Sequence, residues 1–183
     1  MSAIATFLKH YFYLYENSYI EELDDKYTSS IVRALLENNN DEDVNARDNN
    51  ISETPAFTLA IRMGLIETIK VFIDFNVDVN ITDKDDATPL MNAAFNNEVN
   101  IIRLLCKQEN LDINAQDFSG ATALLYTTDE NAIDAARVLT ISGINPTIQN
   151  ENDYTASQAA RENDFIQLAQ LLEFAEEQYN FTN

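Results

Sequence analysis

One spacing governs what this chain can become. Thr54-Pro55, Thr88-Pro89, Thr122-Ala123 and Thr155-Ala156 follow one another at intervals of 34, 34 and 33 residues. A second series runs alongside: Asp43-Val44-Asn45, Asp78-Val79-Asn80, Asp112-Ile113-Asn114 and Asn145-Pro146-Thr147. Apolar residues at helical spacing fill the intervals, as in Ile69, Val71 and Phe72, then Ile101, Ile102, Leu104 and Leu105. Ala135, Val138 and Leu139 supply a third set, and Leu168, Leu171 and Leu172 a fourth. A unit this short cannot bury its own apolar face, so successive units must stack and share a core.

The clearest unit reads DKDDATPLMNAAFNNEVNIIRLLCKQENLDINAQ, residues 83–116. It resembles the ankyrin repeat family, whose T-P-L-H-x-A unit folds as a β-turn followed by two antiparallel helices, A and B. Neighbouring copies span 48–82, 117–149 and 150–174, and the last, TASQAARENDFIQLAQLL, is similar to the family's C-terminal capping version. A degenerate copy is expected over 18–47, and 175–183 is a tail. The resemblance implies an all-α solenoid of about four to five repeats. Residues 1–17 do not match the unit. Ile4, Phe7, Leu8, Tyr11, Phe12 and Tyr15 form an apolar helix stripe there, expected to serve as an N-terminal capping helix over the open end of the stack.

Turn chemistry agrees with this frame. Pro55 and Pro89 fall at the first turn of helix A, where a missing N–H costs nothing. Gly64 follows helix A, Gly143 follows helix B, Gly120 sits in the tight turn, and Pro146 stands where no helix continues. Asn76, Asn97, Asn110, Asn131 and Asp164 fill such slots in other copies, and both residue types tolerate positive φ. The family His after Pro-Leu is absent; Met91, Leu125 and Gln158 take its place, with Phe57 or Thr58 in the irregular copy. Turn hydrogen bonding is therefore expected to depart from the family's regular pattern. The first full copy carries an extra residue near Ala56, with a bulge expected over 49–53.

The charge narrows the function. Eleven Lys and Arg against 31 Asp and Glu leave −20, which opposes binding to a phosphate backbone or an anionic membrane. One Cys, Cys106, and one His, His10, supply neither a disulfide nor a structural zinc site. Asp41-x-Asp43-x-Asn45 starts like a calcium loop but continues with Ala46 and Ser52 where Gly and Glu belong. No Gly-rich phosphate loop is present, and paired acids such as Glu21/Asp24/Asp25 and Glu173/Glu176/Glu177 read as solvated faces. No catalytic residue, metal ligand or cofactor site is expected. No stretch is long and apolar enough to span a membrane, the start lacks the features of a secretory signal, and the default location is cytoplasmic.

The resemblance implies protein binding through turn tips and the concave, helix A side. Carried onto this sequence, the tips are Asn49-Asn50, Lys84-Asp85, Phe118-Ser119 and Glu151-Asn152, with Glu53, Ala87, Ala121 and Tyr154 next outward. The exposed helix A pairs are Arg62-Met63, Phe95-Asn96, Asp129-Glu130 and Glu162-Asn163. From these, Arg62, Met63, Lys84, Asp85, Phe95, Asn96, Phe118, Asp129, Glu130, Glu151, Tyr154 and Glu162 form the candidate partner-binding set. The expected partner is a protein with a basic surface and an apolar centre, met by a monomer. A stand-alone inhibitor, immunity or antitoxin-like protein, or a nucleic-acid mimic blocking a basic enzyme site, is the alternative. An enzyme is the reading from another class.

Overall fold

A computed structural model describes residues 3–17, 24–38, 43–47 and 54–182. They form two compact units, Met1–Lys84 and Asp85–Asn183. Among the described residues the regular structure is all helical, with one isolated antiparallel bridge between Arg47 and Pro55.

The first unit holds α1 (Ala3–Glu16), α2 (Asp25–Asn38), α3 (Ala56–Arg62) and α4 (Ile66–Asp74). Helix α1 packs on α3 and α2 packs on α4, so α1–α2 stack on α3–α4 as one helix pair on the next. The helix that the sequence leaves outside the repeat frame thus occupies an A position, and α2 the matching B position. Ile4 and Leu8 of the apolar stripe are fully buried, and Phe7 stacks on Tyr11 with ring centroids 5.7 Å apart. The side chains of Phe12 and Tyr15 lie outside those described. Phe57 of α3 meets Phe72 of α4 edge-on at 5.6 Å. Asp25 locks the pair: its carboxylate accepts from the Glu67 N–H (2.6 Å), the Thr68 N–H (2.9 Å) and the Thr68 hydroxyl (2.8 Å) at the start of α4.

The second unit holds α5 (Pro89–Phe95), α6 (Val99–Leu105), α7 (Ala123–Tyr126), α8 (Ile133–Ile141), α9 (Ala156–Glu162) and α10 (Ile166–Thr182). A helices stack in the order α5, α7, α9 and B helices in the order α6, α8, α10. Leu90, Ile101, Ile102, Leu105, Leu124, Leu139, Leu168 and Leu172 make the shared core. Residues 175–182, expected as a tail, continue α10 as far as Thr182.

The punctuation residues keep time in the backbone. Gly64, Asn97, Asn131 and Asp164, closing successive A helices, all have left-handed φ between 53° and 70°. Asn110 does not share that geometry, contrary to the sequence expectation. The segment from Val99 to Asp112 is one residue longer than its counterparts, and α6 stops at Leu105. The chain then leaves by short-range bonds, Lys107 N–H to the Leu104 carbonyl and Gln108 N–H to the Leu105 carbonyl. In the D-V-N series each side chain accepts from the N–H two residues on, at 2.9–3.1 Å for Asp43, Asp78, Asp112 and Asn145. That use makes Asp43 and Asn45 turn residues. Asp41 of the calcium-like pattern lies outside the described residues.

The residues in the family His slot take over part of the turn bonding. Thr88 donates its N–H to the Met91 sulfur and accepts from the Met91 N–H, and Thr155 makes the equivalent pair with Gln158. Leu125 has no polar atom to offer, and α7 has no side-chain cap. Gln116 and Gln149 bridge the tips instead, donating to the carbonyls of Gly120 (2.7 Å) and Asp153 (2.8 Å) respectively.

Candidate functional site

In the second unit two successive tips and two A-helix ends enclose a groove of about 540 Å³. Its lining includes Asp117, Ser119, Ala121, Leu125, Tyr126, Thr128 and Asp129 from one repeat, and Asn150, Tyr154, Ala159, Glu162 and Asn163 from the next.

Each tip is held by one Asx side chain. Asp117 Oδ1 accepts from the Ser119 N–H (2.9 Å), the Ser119 hydroxyl (2.8 Å) and the Ala121 N–H (2.8 Å), while Oδ2 accepts from the Tyr126 hydroxyl (2.9 Å). Asn150 repeats the arrangement with the N–H groups of Asn152 (3.0 Å) and Tyr154 (3.1 Å). Glu151 N–H donates to the Ser119 carbonyl at 2.9 Å, joining the two tips. Loops this thoroughly bonded present their outward side chains from a fixed frame.

Asp129 and Glu130 depart from expectation in one respect: they lie in a turn beyond α7, not on it. The buried Thr127 and Thr128 hydroxyls donate back to the Leu124 (2.7 Å) and Leu125 (2.8 Å) carbonyls, and α7 ends at Tyr126. The Thr128 carbonyl accepts from the Asn163 amide at 3.0 Å, tying this turn to the end of α9. Burial, then the neighbouring Glu130 carboxylate, raise the Asp129 carboxyl above the ordinary carboxylate range.

Of the twelve candidate residues, Arg62, Met63 and Lys84 belong to the first unit and the other nine to the second. Arg62 and Lys84 are exposed and Met63 is half-buried as the residue closing α3. In the second unit Asp129, Tyr154 and Glu162 share the groove. Phe118 is 70% exposed between the groove residues Asp117 and Ser119, and Glu151 is exposed at the next tip. Phe95 and Asn96 close α5, both exposed, and Asp85 sits in the preceding tip, its carbonyl accepting from the Phe118 N–H. Ala87, expected to face outward, is buried; Asn49, Asn50 and Glu53 lie outside the described residues.

Tyr126, Asn150 and Asn163 are groove residues that the candidate set omits. Tyr126 ends α7 and gives its hydroxyl to Asp117 nine residues back, a link from helix to tip that no local spacing marks.

Chemistry is sparse. Among the described residues no group of three or more His, Cys, Asp or Glu is gathered to hold a metal, and no helix is long and apolar enough to cross a membrane. Cys106 is half-buried at the end of α6, its thiol raised by burial and partly lowered again by a hydrogen bond with Ser142.

Comparison with known proteins follows the same frame. A family model for ankyrin repeats in three copies matches residues 24–117 and 57–150. The B-cell lymphoma 3 protein homolog of Mus musculus is 27% identical over 133 residues, covering 72% of this chain and 30% of that protein. Ankyrin repeat and SAM domain-containing protein 6 of Rattus norvegicus is 33% identical over 53% of this chain and 11% of its own length. Alpha-latrotoxin-Lg1a of Latrodectus geometricus is 28% identical over 64% of this chain and 9% of its own length. The chain thus corresponds to less than a third of each of these relatives.

Proposed function

The chain belongs to the ankyrin repeat family, and on that premise we propose that it is a non-enzymatic protein-binding module whose turn tips and A-helix ends capture a basic partner protein. Ankyrin repeats are in general protein–protein interaction modules, and a rigid stacked scaffold binds with little ordering cost. The observation that carries the reading is the groove side of the second unit. Uncompensated acids at Asp129 and Glu162 share the groove with the exposed Tyr154, and Phe118 is exposed between the lining residues Asp117 and Ser119. Aromatic anchors within a charged surround supply affinity at the centre and steering at the rim. The partner surface is accordingly basic with an apolar patch, and the module works as a monomer in the cytoplasm.

The net charge of −20 favours a second reading within the same class, an inhibitor or immunity-type protein covering a basic enzyme site or mimicking nucleic acid. Affinity capture on the immobilised full chain, at low and high salt, tests both. Wild type should retain a basic protein at low salt and release it at high salt, and the F95A/F118A/Y154A variant should fail to retain it while keeping its helical circular dichroism. A nuclease or toxin among the eluted proteins selects the inhibitor reading. Equal retention by the triple variant, or capture indifferent to salt, refutes the assigned surface.

A further inference from the structure

We propose that the groove between Tyr126 and Tyr154 is a receptor for one arginine side chain, presented by an extended basic segment of the partner. This rests on the protein-binding reading above and gives it a chemical identity.

The groove is supplied with anions and with nothing to balance them. None of its lining residues is Lys, Arg or His. Asp117 is spent on its own tip, where four donors converge on its carboxylate. Asp129 and Glu162 are engaged by no hydrogen bond or cation among the described residues. The nearest cation in sequence, Arg161, is turned away and paired with Glu173 on α10. The raised Asp129 carboxyl is what a partly buried site short of positive charge produces.

The walls choose among cations. The Tyr126 ring is fixed by its hydroxyl's bond to Asp117, and the Tyr154 backbone is fixed on Asn150, so both tyrosines line the groove together with the two acids. Ala121 and Ala159 keep the space between them open, and the volume is that of a small-ligand site. A guanidinium is planar, weakly hydrated and carries five N–H donors, so it can lie against a tyrosine face while bonding carboxylates in its plane. An ammonium is a compact, strongly hydrated point charge and gains less from the rings. Phe118, exposed next to this site, is placed to meet an apolar neighbour of the arginine in the bound segment.

The test needs no partner. The full-length chain, with assigned backbone amides, is titrated by NMR with acetyl-Gly-Arg-Gly-amide and, in parallel, with acetyl-Gly-Lys-Gly-amide. The arginine peptide should shift the amides of Ser119, Ala121, Thr128, Tyr154 and Asn163, saturably and more strongly than the lysine peptide does. These shifts should vanish in D129N/E162Q, whose exposed positions leave the fold intact, and shrink in Y154S. Overturning results are shifts spread over acidic surfaces generally, equal shifts with lysine, shifts that survive D129N/E162Q, or none at all. Any of these, alongside partner capture that the aromatic variant abolishes, would retire the arginine receptor and leave the binding module standing; failed capture would retire the module itself.

Discussion

Gly120 and Gly143 share a backbone conformation and differ in what surrounds them, so the pair isolates tip-to-tip contact. Both hold left-handed φ, +76° and +91°. An alanine in that region costs about 1–2 kcal/mol, from which restriction of the unfolded chain returns roughly 0.4–1. At Gly143 a Cβ meets nothing within 4 Å, so Gly143→Ala should cost about 1 kcal/mol and no more. At Gly120 it would stand 3.1 Å from the Glu151 nitrogen and 3.2–3.3 Å from the Asn150 Cα and carbonyl carbon. All three are backbone atoms of the next tip, which must retreat and strain the 2.9 Å bond from Glu151 N–H to the Ser119 carbonyl. Weakening that bond adds roughly 0.5–1.5 kcal/mol, which brings Gly120→Ala to about 1.5–2.5. The protein contains its own control: Asp86 holds the equivalent slot at φ 58°, and the bond across that tip, Phe118 N–H to the Asp85 carbonyl, is 3.3 Å long. Urea denaturation followed by circular dichroism gives both free energies. The groove depends on the spacing of these two tips, so Gly120→Ala should also reduce partner or peptide binding while Gly143→Ala leaves it unchanged. Equal destabilisation by the two substitutions would refute the contact argument.

Three further outcomes follow from single side chains. Asp25→Ala removes the cap that α2 lends to α4 and strands the buried Thr68 hydroxyl, so it should lower stability by about 2–3 kcal/mol in the same denaturation assay; a loss under about 0.5 contradicts the assignment. The raised Asp129 carboxyl means that the folded state holds a proton the unfolded state has lost, so its contribution to stability falls as pH rises from the ordinary carboxylate range through the raised value. Asp129→Asn should therefore match wild type in acid and be at least as stable at neutral pH, and a greater deficit at neutral pH than in acid rejects this. Burial of the Cys106 thiol predicts slow alkylation near neutral pH, accelerated by urea in step with unfolding; rapid reaction in the native state rejects it.

The repeat frame is legible in the sequence because its markers act locally. Thr88 and Thr155 cap the helices that start beside them, and an Asx side chain bonds the N–H two residues on, so each marker needs only its near neighbours. What was illegible depends on partners far away in sequence. Nothing in 3–16 marks an A helix, because α1 has no Thr-Pro start and is placed by packing on α3 and α2. Asp86 and Asp153 take the left-handed slot of Gly120, although aspartate states no such preference as plainly as glycine does. The early end of α7 was written in Thr127 and Thr128, but a pair of threonines reads equally well as helix or turn until their hydroxyls find the carbonyls behind them.

The same division of labour runs through the acids, and it decides which of them function can use. Asp43, Asp78, Asp112 and Asp117 spend their carboxylates on nearby N–H groups, so neutralising one should be felt first as a loosened turn. Asp129, in the turn beyond α7, and Glu162, at the end of α9, have no comparable internal task. Composition alone counts both groups alike within the −20. Structure separates them, because a carboxylate already surrounded by donors has less left to offer an incoming cation than one facing open space. The acidity left for a partner is therefore smaller than the net charge by at least the carboxylates committed to turns. On the proposed reading the acids that matter are Asp129 and Glu162 in the groove with Tyr154, and the partner's basic residues should be few and specifically spaced rather than a diffuse positive field.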